Sequence, residues 1–108
     1  MLKETIYNKK YEKTFFALGT INTIIAYGLN CKDALNSACS RVLEIDYRMS
    51  AFKNDSDVMK INHYAGFEAQ KINIDTFNLL KRALDFSRAS GGVFDITIRP
   101  LTELWGFE

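Results

Sequence analysis

One carboxylate in this chain follows a pair of glycines, an arrangement that suits a ligand site. Asp95 lies in the segment S-G-G-V-F-D-I-T, shortly after Gly91 and Gly92. Glycine adopts the left-handed conformation that ends a helix without a steric cost, and it lets backbone N–H groups come close to a ligand. The alternative is a turn acid that hydrogen-bonds its own backbone. The pattern therefore indicates either a ligand-facing carboxylate or a turn acid.

The other side chains that could do chemistry are scattered. Asp55 and Asp57 suit capping and turn roles, because a hard cation needs several converging oxygens. His63 is the only histidine, and no C-x-x-C or H-x-x-x-H spacing is present, which argues against a zinc site. Cys31 and Cys39 fall in one predicted helix, about 12 Å apart along its axis, too far for a disulfide. We expect free thiols and, without a signal peptide, a cytoplasmic location.

Composition narrows the classes of function. The 108 residues fit a single domain, and 47% hydrophobic and 13% aromatic residues suffice for a packed core. The net charge of +1 and the lack of a basic stripe with interleaved aromatics argue against nucleic acid as a partner. The sequence has no apolar run of about 18 residues, so no membrane span is predicted.

Helical periodicity is strong in two segments, which must help to position Asp95. After Asn30, which can cap a helix, apolar residues recur at steps of three and four up to Met49. A second stripe predicts a helix over 76–89, capped by Asp75 and ended by the glycine pair.

Two short helices are also predicted. The first is capped by Ser56 or Asp55 and runs through Asn62. The second covers 101–105, because Pro100 is preorganised for a first helical position.

Three segments have the composition of strands. The first, over 14–29, is rich in β-branched residues and is interrupted by Gly19, which indicates a bulge or a place where a ligand approaches the backbone. The others are 68–74 and the alternating run 94–99.

These elements predict an α+β domain, with an antiparallel or mixed sheet of about three strands covered by two main helices. Residues 1–13 are predicted to be a leader or a loosely held first strand. The apolar end, Trp105-Gly106-Phe107, indicates a chain cut within a domain or packing on another subunit in a homo-oligomer.

Five segments, in order, are similar to one known family. They are A-L-G-T (17–20), R-M-S-A-F (48–52), S-D-V-M-K-I-N (56–62), S-G-G-V-F-D-I-T (90–97) and P-L-T-E-L-W-G-F (100–107). Together they resemble the N-terminal part of the FAD:protein FMN transferases, the ApbE family, once called thiamine biosynthesis lipoproteins. The resemblance covers about residues 14–108. It implies an ApbE-like fold and Mg²⁺-dependent transfer of FMN from FAD to a threonine of an acceptor protein.

The resemblance also implies which residues contact FAD. Leu18 stands where the family's M-G-T motif has methionine, and Phe52 stands where the family often has tyrosine. Both can pack on a ring system. The last three residues of the family's G-A-F-D segment correspond to Val93, Phe94 and Asp95. The carboxylate of Asp95 would then accept hydrogen bonds from adenine or ribose hydroxyls.

The resemblance places no catalytic residue and no metal ligand in this chain. The family's later glycine- and lysine-containing FAD segment and its Mg²⁺-binding aspartate and threonine pattern have no counterpart here. Phosphoryl-type transfer depends on positioning and on metal neutralisation of charge, so we expect the chain, as a truncated or split protein, to be inactive alone. The alternative is a non-catalytic flavin-binding or self-associating module.

Overall fold

A computed structural model describes residues 9–107, which fall into two compact units, 9–70 and 71–107. The first unit holds a β-hairpin and two helices: β1 (Lys10–Ala17), β2 (Thr20–Tyr27), α1 (Cys31–Met49) and α2 (Asp57–Tyr64). The second unit holds two helices, α3 (Ile74–Ala89) and α4 (Arg99–Leu104). This architecture confirms the predicted α+β class. The sheet found in the described part of the chain has two strands rather than about three.

The two strands form an antiparallel hairpin closed by a two-residue turn. Ala17 pairs with Thr20, and the turn residues Leu18 and Gly19 both have positive φ, 54° and 71°. Positive φ at both central positions is the type I′ arrangement, which matches the twist of the flanking strands. The prediction of one interrupted strand over 14–29 was therefore wrong. Gly19 is a turn residue, and a Cβ added there would meet nothing within 4 Å in the described chain.

The start of β1 overlaps with residues 1–13, which were predicted to be a leader or a loosely held first strand. Lys10–Lys13 pair with β2, as in the first-strand alternative for residues 1–13. Residues 1–8 of that prediction lie outside the described residues.

The two faces of the hairpin differ in burial. One face packs on α1, where Ala17, Leu35 and Cys39 are almost fully buried. On the other face, Phe16 lies opposite Ile21 and both side chains are exposed. The hairpin thus gains its support from α1 on one side only. A two-stranded hairpin is marginally stable by itself, so this contact is needed for its stability.

The helix starts differ in part from the predictions. Asn30 is the N-cap residue of α1, as predicted, but it has φ 59° and its side chain makes no capping bond. Asn73 caps α3 by accepting from the Asp75 N–H at 3.0 Å, which moves the cap from Asp75 to Asn73. Ser56 caps α2 as predicted, and its Oγ accepts from the Met59 N–H at 3.0 Å.

The predicted strands over 68–74 and 94–99 were wrong. Residues 68–73 have no regular structure, and residues 93–98 form turns before α4 begins at Arg99. In the second segment the Asp95 side chain bonds the Thr97 N–H, a local bond that competes with strand pairing. Alternation of apolar and polar residues therefore predicted a strand wrongly in both segments, because neither segment has a partner strand in the described chain.

Two further predictions concern cysteines and membranes. Cys31 and Cys39 are free thiols, as predicted. Within residues 9–107, none of the helices combines the length and the apolar character required of a membrane span.

Ser56 gives a test of the first unit. Its fully buried Oγ donates to the Ser50 carbonyl at 2.5 Å as well as capping α2. Ser56→Ala removes both of these hydrogen bonds, so we expect the free energy of unfolding to fall by about 2 kcal/mol. Urea denaturation measures this. Ser37→Ala, on an exposed part of α1, is the control and should change stability by less than about 0.5 kcal/mol. Equal effects of the two substitutions would contradict the assignment.

Candidate functional site

Leu18 lies at the tip of the hairpin in a conformation that is costly for its residue type. Its φ is 54°, and a side chain with a Cβ in this region is strained by about 1–2 kcal/mol. The side chain is 54% exposed, so burial of the leucine does not offset the strain. The Leu18 N–H donates to Asp46 Oδ1 at 2.9 Å, a bond that links the turn to α1. Strained residues that surrounding contacts hold in place are typical of ligand sites.

Phe52 lies in the loop that follows α1. The Oγ of Ser50 accepts from the Phe52 N–H at 3.0 Å and from the Lys53 N–H at 3.2 Å. The Ser50 carbonyl in turn accepts from Ser56, so both ends of this loop are hydrogen-bonded. The Phe52 ring is 73% exposed. The loop therefore presents an aromatic ring to solvent on a backbone that is fixed locally.

Asp46 connects the hairpin turn with this loop. Besides accepting from Leu18, its carboxylate forms an ion pair with Lys53 Nζ through Oδ2. The Lys53 ammonium and, to a lesser extent, the Leu18 N–H hold the pKa of Asp46 below its usual value. The carboxylate is consequently charged at neutral pH.

In the second unit, the glycine pair ends α3 as predicted. The Gly91 N–H donates to the Arg88 carbonyl at 3.1 Å and the Gly92 N–H donates to the Ser87 carbonyl at 2.9 Å. Both glycines have positive φ, and the two bonds together form a Schellman motif. Ser90 Oγ then accepts from the Phe94 N–H at 3.0 Å. The chain is therefore held through the turn that leads to Asp95.

Asp95 is a turn acid with one oxygen engaged. Its Oδ1 accepts from the Thr97 N–H at 2.8 Å and from the Thr97 hydroxyl at 2.7 Å. These bonds, the hydroxyl first, lower the pKa of Asp95. The neighbouring side chains of Val93 and Phe94 are 90% and 51% exposed. The structure thus shows the local turn that was the alternative explanation of Asp95, in a segment that also carries two exposed apolar residues.

The five predicted site residues form two groups. Leu18 and Phe52 lie in the first unit, where Asp46 holds Leu18 directly and Phe52 through its neighbour Lys53. Val93, Phe94 and Asp95 are consecutive in the second unit. That all five contact one flavin stays a prediction.

Sequence reasoning missed Asp46, although a signal was present. The residue lies in the last turn of α1, where the negative end of the helix dipole disfavours an acid. An acid in such a position needs a partner outside its helix. This mismatch between residue type and position could have identified it.

Two surface depressions involve other residues. One, of about 400 Å³, is lined by Ile61 and residues 64–70, and the other lies around Phe86 on α3. Neither lining includes a predicted site residue. Both are open and shallow, and neither brings together groups that could do chemistry.

The fold and the two groups of residues can be compared with a known family. The model of the ApbE family matches residues 18–108, which include all five predicted site residues. The chain belongs to the ApbE family, as its motifs indicated.

Several bacterial proteins are similar to this chain in sequence. Those named FAD:protein FMN transferase include one from Salmonella typhimurium, 30% identical over 83% of this chain and 27% of its own length. Another, from Klebsiella pneumoniae, is 30% identical over 95% of this chain and 29% of its own length. A solved ApbE protein from Thermotoga maritima superposes with a TM-score of 0.81 and 33% identity, over 92% of this chain and 32% of that one. This chain thus spans about a quarter to a third of the length of these relatives.

Leu18 gives a test of the strained turn. Asn-Gly is the preferred pair for a type I′ turn, and asparagine tolerates positive φ. We therefore expect Leu18→Asn to raise the free energy of unfolding by about 1 kcal/mol, measured by urea denaturation. The control is Leu29→Asn, which replaces another exposed leucine outside this turn and should not stabilise the protein. A loss of stability in Leu18→Asn would show that the leucine side chain contributes to folding.

Proposed function

We propose that the protein acts in the transfer of FMN from FAD to a threonine of an acceptor protein, and that its own residues bind the FAD. Membership of the ApbE family and the names of the similar proteins support this proposal. Within the chain, the observation that carries it is the orientation of the Asp95 carboxylate.

The Asp95 carboxylate has the properties of a nucleotide-binding group. Thr97 engages Oδ1, and Oδ2 makes no hydrogen bond to any of residues 9–107. The Thr97 bonds lower the pKa of this carboxyl, which is ionised at neutral pH. A charged acceptor makes strong hydrogen bonds to hydroxyl and amino donors. In this proposal Oδ2 accepts from a ribose hydroxyl or from the adenine amino group of FAD.

Exposed apolar side chains suit the rings of the same ligand. Val93 and Phe94 directly precede Asp95 in the sequence and are exposed, and Leu18 and Phe52 are exposed in the first unit. Ligand sites combine such apolar side chains with a few oriented polar groups. The Phe52 ring supplies a flat surface for offset stacking on an aromatic ligand.

The resemblance also implies Mg²⁺, but the residues present do not fit a metal. No group of three His, Cys, Asp or Glu side chains converges in the part of the chain that the structure describes. A hard cation requires several oxygen ligands. We therefore derive no metal-dependent step from this chain, and we assign to its residues the binding and orientation of FAD.

A second function is favoured by the exposed aromatic rings near residue 107. Trp105 and Phe107 are 67% and 72% exposed, and their ring centroids are 6.0 Å apart. Such a pair suits self-association, with the protein acting as a non-catalytic module. This alternative does not require FAD.

Asp95→Asn tests the proposed role of the carboxylate. Asparagine keeps an oxygen for the Thr97 bonds but replaces the ligand-facing Oδ2 by an amide nitrogen. The loss of one charged hydrogen bond should weaken FAD binding about tenfold. Quenching of FAD fluorescence during titration with the protein measures the affinity. The matched control is Asp85→Asn on α3, whose side chain is 62% exposed and pairs with Arg88. It should bind FAD as the unaltered chain does.

The outcomes separate the two functions. If the unaltered chain leaves FAD fluorescence unchanged and light scattering shows a dimer or larger species, the self-associating module is the better account. If Asp95→Asn and the unaltered chain bind FAD equally, binding is retained and the role of Asp95 is refuted.

A further inference from the structure

Both carboxylate oxygens of Asp46 bond to segments outside its own helix. Oδ1 accepts from the backbone of Leu18, which precedes it by 28 residues, and Oδ2 pairs with the Lys53 ammonium beyond the end of α1. The Asp46 side chain is 21% exposed. One side chain thus joins two separate backbone segments.

The Lys53 end of this link has little freedom. Its backbone N–H shares the Ser50 hydroxyl with the N–H of Phe52. The Lys53 ammonium also lies 5.9 Å from the centre of the Tyr47 ring, within the range of a cation–π contact. Fixing the Lys53 side chain on Asp46 therefore limits the movement of Phe52, the residue before it.

The two segments that Asp46 joins carry the two exposed apolar residues of the first unit that are predicted to contact FAD. Leu18 donates the hydrogen bond to Asp46 Oδ1, and Phe52 directly precedes Lys53, which pairs with Oδ2. The helix itself gains nothing from the acid, because a carboxylate near a helix C-terminus is unfavourable. The location of Asp46 is explained by its two outside partners.

We propose that Asp46 is a positioning residue of the flavin site, which holds the Leu18 turn and the Phe52 loop in the arrangement that contacts FAD. This inference rests on the proposed function. Asp46 does not touch the ligand in this account. It acts through Leu18 and through Lys53.

The test uses two mild substitutions that break the same link. Asp46→Asn keeps an acceptor for Leu18 but loses the charge that holds Lys53, and Lys53→Met removes the ammonium while retaining an unbranched side chain. We expect each to weaken FAD binding about threefold in the fluorescence titration, because a partly exposed ion pair contributes at most about 1 kcal/mol. The double variant should be no weaker than either single one, because both act through one ion pair. Asp33→Asn, on the first turn of α1, is the control and should bind normally.

A second measurement separates positioning from general destabilisation. Hydrogen exchange of the Leu18 amide should stay slow in Asp46→Asn, which keeps the acceptor, and become fast in Asp46→Ala. Phe52→Ala should itself weaken FAD binding, and Asp46→Asn should add little to that loss, since the ion pair acts by placing the ring.

Each other outcome overturns the inference in a distinct way. If FAD affinity is unchanged in Asp46→Asn, or if its loss adds in full to that of Phe52→Ala, Asp46 is not a positioning residue, and the proposed function stands. If Lys53→Met weakens binding and Asp46→Asn does not, Lys53 contacts FAD directly. If the unaltered chain fails to bind FAD, the inference and the proposed function both fail.

Discussion

The ion pair and hydrogen bond of Asp46 are the contacts on which the arrangement of the first unit depends. The hairpin contacts α1 through one face only, and its turn contains a leucine with positive φ. A strained conformation persists only when its surroundings determine it, and the bond from the Leu18 N–H to Asp46 does so. The same carboxylate anchors Lys53 in the loop after α1. One acid in the last turn of a helix therefore contacts two exposed segments, and the second of them is also held by the hydroxyl groups of Ser50 and Ser56.

The helices were predictable because their periodicity extends over many residues. The stripe from Leu35 to Met49 and the glycine pair after α3 each indicate one structure only. The strands were harder, because short alternating runs also occur in turns. In 94–99 the local bonds of Asp95 to Thr97 replace pairing with another strand. The turn at Leu18 was missed because leucine is not a turn residue, and here a tertiary contact overrides its preference.

The candidate site was chosen from the sequence motifs, and the binding of FAD by these residues stays a prediction. Motifs at the right spacing identified Leu18, Phe52 and the Val93–Asp95 segment, and the family comparison confirms the resemblance on which those residues were chosen. Sequence left open whether Asp95 is a turn acid, and the structure shows that its Oδ1 does bond the backbone of the local turn. Sequence could not show the role of Asp46 in the hairpin turn, because its partner Leu18 lies 28 residues earlier in the sequence. Contacts between remote residues depend on the fold rather than on local pattern.

We propose that FAD contacts residues of the hairpin turn, of the loop after α1 and of the turn after α3. Backbone amide NMR signals of the isotope-labelled chain, followed during addition of FAD, test it most directly. We expect the signals of Leu18, Phe52 and Val93–Asp95 to shift as FAD is added and to fit one dissociation constant. The signals of residues 64–70 should stay unchanged. Signals that do not move, or that move only outside these three segments, would contradict it.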